Sequence, residues 1–264
     1  MINFGLNKRQ KIITTSLILS AGLLSTGFLP LSFYLTYKLQ LIIGFAVLAY
    51  LLSVWALWEG LDLFKALILM ILPTLFTLAV VSYYFLLPVR WLTRLPVTFV
   101  FGLIWYTLLL SQNVFNVSAT RTIPLYRVAS TVVFVLTILT ASLLFNVIFA
   151  LHQLFLINGL LVALLSFLLI IQVYWSVNME KLDSNIVIPA LFLALVVGEV
   201  GIALSFWPLT NTISSVFLTG ILYLVLGITT DSLRGRLNRE AVLSYIRWGV
   251  PVFLFIYLTA SWTG

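Results

Sequence analysis

Apolar runs fill this chain almost end to end, each about as long as the ~20 residues a helix needs to cross a bilayer. Nine can be marked, at roughly 12–32, 39–58, 65–88, 95–112, 128–151, 154–176, 186–206, 213–230 and 243–262. Inside lipid every backbone N–H and C=O must be paired within the protein, which leaves only helices or a closed barrel. The runs are continuous rather than alternating, and that decides for helices. The expectation is an all-α polytopic transmembrane helical bundle of about nine helices, forming one integral membrane domain over 1–264.

Composition narrows the chemistry. The chain is 62% hydrophobic and 8% charged, whereas a soluble domain carries about 25% charged residues. With no cysteine, disulfides, thiolate metal sites and cysteine nucleophiles are excluded, and one histidine excludes a multi-histidine site. No phosphate-cradling loop and no dinucleotide-type glycine fingerprint occurs. No cofactor is expected.

The net charge of +7 reads as topology rather than as a nucleic-acid footprint. With the N-terminus inside, Lys8, Arg9, Lys11, Lys65, Arg121, Arg127, Lys181, Arg234, Arg236, Arg239 and Arg247 fall on the cytoplasmic side, and only Lys38, Arg90 and Arg94 outside. That split satisfies the positive-inside rule. It predicts an inner-membrane protein with a cytoplasmic N-terminus and, after nine spans, an external C-terminus. The first run follows Asn7-Lys8-Arg9-Gln10-Lys11, exceeds a signal-peptide core in length and lacks a small-residue cleavage site, so it is expected to stay as an anchor.

The two halves resemble each other. "PTLFTLAVVS" (73–82) lies over "PALFLALVVG" (189–198), and "FVFGLIWYTLLL" (99–110) over "FLTGILYLVLGI" (217–228). The second and sixth runs both end in E-x-L-D, as Glu59-Gly60-Leu61-Asp62 and Glu180-Lys181-Leu182-Asp183. Ordered matches at a near-constant offset predict a tandem, parallel four-helix duplication, with repeat one over 39–141 and repeat two over 154–262, preceded by the 12–32 helix.

Few residues carry chemistry. Glu199 lies deep in the seventh run, where a charge costs ~3 kcal/mol on insertion scales. Ala194, Gly198, Gly201 and Ser205 form a small-residue stripe of the kind that lets helices approach closely, and Glu199 is expected to flank that seam rather than face lipid. Tyr83, Asn146 and Gln172 are its candidate companions in a solute or proton site, with Tyr84 and Asn113 as further polar neighbours. Arg234, Arg236, Arg239 and Arg247 are expected on a short interfacial helix, its apolar face formed by Leu233, Leu237, Ala241 and Tyr245, as contacts for anionic lipid headgroups. The pairs Glu59/Asp62 and Glu180/Asp183 are weak magnesium candidates that are equally well read as helix ends meeting water and nearby lysines. His152 has no nucleophile turn to serve and reads as structural.

The segments "GEVGIALSFWPL", "GILYLVLGI" and "YLTASW" resemble uncharacterised many-helix inner-membrane proteins of candidate-phylum bacteria. The resemblance touches the last third of the chain and implies a multi-pass membrane protein with no assigned activity. The leading functional expectation is a non-enzymatic protein that binds or moves a small or lipid-like solute between the repeats, with the bilayer as its partner and no protein partner named. The alternatives are a structural or assembly subunit, and an enzyme acting on lipid phosphates at the cytoplasmic face.

Overall fold

The computed structural model describes residues 7–88, 90–119, 124–179 and 184–259. Among them there is no strand, as the pairing argument requires. The helices are α1 (Lys8–Ser25), α2 (Leu31–Leu57), α3 (Leu63–Leu69), α4 (Ile71–Tyr84), α5 (Trp91–Ser118), α6 (Tyr126–Ala150), α7 (Phe155–Asn178), α8 (Ser184–Ser205), α9 (Asn211–Leu233) and α10 (Arg239–Thr259). Eight stretches of the described residues are long and apolar enough to cross a membrane, the last ending with α9. The chain is therefore a multi-pass, all-α membrane protein. The ninth expected run, 243–262, coincides with α10 for most of its length but is not among the eight.

Three boundaries differ from expectation. The third run bends at Met70, between α3 and α4; Pro73 has no N–H to offer the Leu69 carbonyl four residues earlier, so the ladder is interrupted there. α5 continues to Ser118, six residues beyond its expected end, because Gln112 and Asn116 are buried polar positions of the same helix rather than loop residues. The basic segment 231–242 is not a separate interfacial helix: α9 persists to Leu233, Gly235 turns the chain with φ +64°, and α10 starts at Arg239. The Asn238 side chain caps that start by accepting from the Ala241 N–H at 2.7 Å.

The fold divides into two compact units, 1–136 and 137–264, with α6 crossing the division. In the first, α1 packs on α5 and α2, and α2 on α4. Close approach of α1 and α5 depends on Gly102, where a Cβ would come within 2.5 Å of Ser20 Oγ. Ser20 uses that hydroxyl to donate to the Thr98 carbonyl at 2.9 Å. α4 and α5 run antiparallel, pinned by stacked Phe76 and Phe101 (5.8 Å) and by Arg94 over the Tyr84 ring (5.1 Å).

In the second unit the expected small-residue stripe is a packing seam. A Cβ on Gly198 would lie 2.9 Å from the Gly159 carbonyl oxygen and 2.7 Å from Ala163 Cβ, and one on Gly201 would press Val162 at 3.2 Å. Asn158, buried on α7, donates across the seam to Ser205 Oγ at 3.2 Å. α9 packs on α7 and α8, and α10 lies along α9.

Candidate functional site

An apolar groove of about 600 Å³ lies between α9 and α10 in the second unit. Its walls include Phe217, Tyr223 and Ile228 from α9, and Tyr245, Val250 and Phe253 from α10. Glycines open it. Gly220 lines the groove, and a Cβ there would meet nothing within 4 Å, while a Cβ on Gly249 would come within 3.1 Å of Leu224. From Phe217 to Ile228 the α9 wall spans about 16 Å at 1.5 Å per residue.

One end of the groove is polar. The Tyr245 hydroxyl donates to Asp231 Oδ2 at 2.8 Å, and its ring lies against Gly227. Beyond it the chain turns through Arg234, Gly235 and Arg236, with the Arg236 N–H donating to the Asp231 carbonyl at 2.8 Å. Arg234, Arg236, Arg239 and Arg247 are all exposed, and none has an ion pair among the described residues. Asp231 is occupied by Tyr245, so the turn presents guanidinium groups beside an apolar cleft.

The other expected site residues of the second unit, Glu199, Asn146 and Gln172, share no hydrogen bond among the described residues. Glu199 is exposed on α8, one residue round from the Gly198 seam, and has no hydrogen-bond or ion-pair partner among the described residues. The expectation that it points inward is thus not met: the 100° step from Gly198 carries it past α7 onto a face with Leu191, Phe192, Leu195 and Phe206, all exposed. Asn146 turns instead to α9, donating at 3.4 Å to both Thr212 Oγ1 and Ser215 Oγ. Gln172 is buried within α7, and its Oε1 has no partner among the described residues. Tyr83 is half-buried on α4. His152 closes α6 with φ +49° and is exposed.

Of the two E-x-L-D ends, the first is a helix terminus held by lysines. Lys11 Nζ lies 3.5 Å from Glu59 Oε1, Lys8 Nζ 3.9 Å from Glu59 Oε2, and Lys65 Nζ 3.5 Å from Asp62 Oδ2. Glu180 and Asp183 lie outside the described residues, as does Arg121. Among the described residues no three potential ligands gather where a metal ion could be held.

Sequence reading missed a second polar group, at the far end of α5. Gln112 is fully buried, and neither its carboxamide oxygen nor its nitrogen has a partner among the described residues. Asn116, also buried, donates to the Glu59 carbonyl at 3.2 Å and leaves its own oxygen unpartnered. An unpaired buried amide costs ~1–3 kcal/mol by protein mutational data. The available signal was the i, i+4 spacing of 112 and 116, which continues the Trp105–Leu108–Leu109 face instead of breaking it.

Residues 18–259 match the family described as "Protein of unknown function (DUF5656)". Neither a curated relative nor a solved structure matches the chain. A match over nearly the whole length settles kinship, and this multi-pass membrane chain belongs to the DUF5656 family.

Proposed function

We propose that the protein binds an anionic, acyl-chain lipid or a lipid-like solute in the α9–α10 groove, without chemical conversion. The carrying observation is the juxtaposition of a 600 Å³ apolar cleft with an arginine turn at one of its ends. In a bilayer an acyl chain gains no hydrophobic energy by leaving its neighbours, because lipid tails are as apolar as the groove. Selectivity therefore falls to the headgroup, where each basic residue near the surface contributes ~1 kcal/mol towards an anionic lipid. With the basic turn cytoplasmic, as the positive-inside distribution favours, the ligand belongs to the inner leaflet of the cell membrane.

Purified protein analysed by native mass spectrometry with phosphatidylglycerol and phosphatidylcholine of equal chain length tests this reading. Preferential retention of phosphatidylglycerol is expected. Gly220→Phe, at a position where a Cβ meets nothing within 4 Å, should abolish retention of both lipids. Arg234→Gln with Arg236→Gln should lower phosphatidylglycerol retention alone, by about thirty-fold if two ~1 kcal/mol contacts are lost. Equal retention of the two lipids by the unaltered chain sinks the proposal.

Glu199 favours a second reading, as a subunit of a membrane assembly. A carboxyl on an otherwise apolar helix face is accommodated when another helix covers it and shares a hydrogen bond. Leu195→Cys in the naturally cysteine-free chain should then cross-link in native membranes to a discrete adduct, and a monomer-only pattern would remove this reading.

A further inference from the structure

The core-facing stripe of α5 is apolar only in its middle. It passes from Phe101 and Trp105 through Leu108 and Leu109 to Gln112 and Asn116, all buried. Along its second half four polar side chains have at least one atom without a partner: Trp105 Nε1, both ends of the Gln112 amide, Asn113 Oδ1 and Asn116 Oδ1. Proteins pair their buried polar groups almost without exception, so the wholly unpartnered Gln112 amide, with Asn116 one turn on, marks a place for a polar occupant.

The stretch ends at the Glu59 turn. Asn116 bonds the carbonyl of Glu59, whose exposed turn carries φ +79° at Gly60 and is flanked by Lys8 and Lys11. From Asn116 to Trp105 the helix advances about 16 Å, roughly half of a ~30 Å hydrocarbon core. Donors and acceptors are both present along it, and none of these groups is charged. An ion would lose its hydration there without a counter-charge, whereas an uncharged solute with its own donor and acceptor would be matched. We infer that the first unit holds a binding site for a small uncharged hydrogen-bonding solute, of the carboxamide, urea or polyol class, centred on Gln112 and reached from the Glu59 turn.

The absence of cysteine makes the test clean. Asn116→Cys, in the full chain in proteoliposomes, is treated with a water-soluble methanethiosulfonate, with and without acetamide. Labelling at least ten-fold faster than for Leu109→Cys is expected, slowed several-fold by acetamide. That protection should vanish when Gln112→Leu is added. In the native background Gln112→Leu should also raise the melting temperature, since it removes an amide that has no protein partner. A lower melting temperature for Gln112→Leu would show that the amide is bonded within the protein and would overturn the inference. So would an Asn116→Cys variant that folds but does not react, or acetamide protection indifferent to Gln112.

Discussion

Gly159 and Gly198 face each other across the α7–α8 seam so closely that a Cβ on Gly198 would reach 2.9 Å from the Gly159 carbonyl oxygen. The Ala163 Cβ, at 2.7 Å, blocks the added atom as well, and neither a Cβ nor a carbonyl oxygen can swing aside, so relief requires the helices to separate. Gly198→Ala should therefore destabilise the protein by about 1–3 kcal/mol, the usual range for overpacking. Gly220→Ala, with open space before it, should stabilise by up to ~1 kcal/mol through helix propensity. Thermal melting of the two variants in one detergent gives the comparison, and equal shifts would contradict the seam.

Ser205 ties the same two helices by a weaker device, accepting from Asn158 at 3.2 Å while donating to the Gly201 carbonyl at 3.0 Å. Hydrogen bonds between membrane helices average ~0.6 kcal/mol. Ser205→Ala should accordingly cost less than Gly198→Ala. A loss above about 2 kcal/mol, beyond the ~1.7 kcal/mol maximum seen for such bonds, would mean that Ser205 does more than close this pair.

Tyr245 and Asp231 join α10 to the end of α9. Tyr245→Phe removes the donor while keeping the ring against Gly227, so a loss of roughly 1–2 kcal/mol is expected. Because the bond frames one end of the groove, the variant should also retain less phosphatidylglycerol in the mass-spectrometric assay. Unaltered melting and retention would detach this contact from the site.

Glu199 is a carboxyl exposed among Leu191, Phe192, Leu195 and Phe206. Glu199→Leu should improve membrane insertion of an isolated α8 segment by roughly 3 kcal/mol on the insertion scale, read by glycosylation mapping. Glu199→Gln, which keeps hydrogen-bonding capacity, should preserve any cross-linked adduct that Glu199→Leu loses. An adduct insensitive to both would relieve Glu199 of a role in assembly.

Residue type makes the solvent and the helices legible, because apolar runs of bilayer length leave the backbone no other choice. The Gly198–Gly201–Ser205 stripe is readable for a similar reason: a periodic row of small residues has few uses in lipid other than close approach. Rotation and polarity are harder to read. The seam alone does not reveal how far round α8 the next residue is carried, so sequence places Glu199 inward where the structure exposes it. Polar residues normally end a span, so Gln112 reads as the last residue of its run and Asn116 as loop, although the helix continues and buries both. The groove is invisible in sequence as well, since Gly220 and Gly249 declare themselves only once α9 and α10 are laid side by side.

Gly220 gives that groove a graded dimension. A Cβ placed there meets nothing within 4 Å, so side chains of increasing size start from open space at the cleft wall. An Ala, Val, Leu, Phe series at this one position thus works as a calliper: the size at which lipid retention stops would report the girth of the proposed ligand.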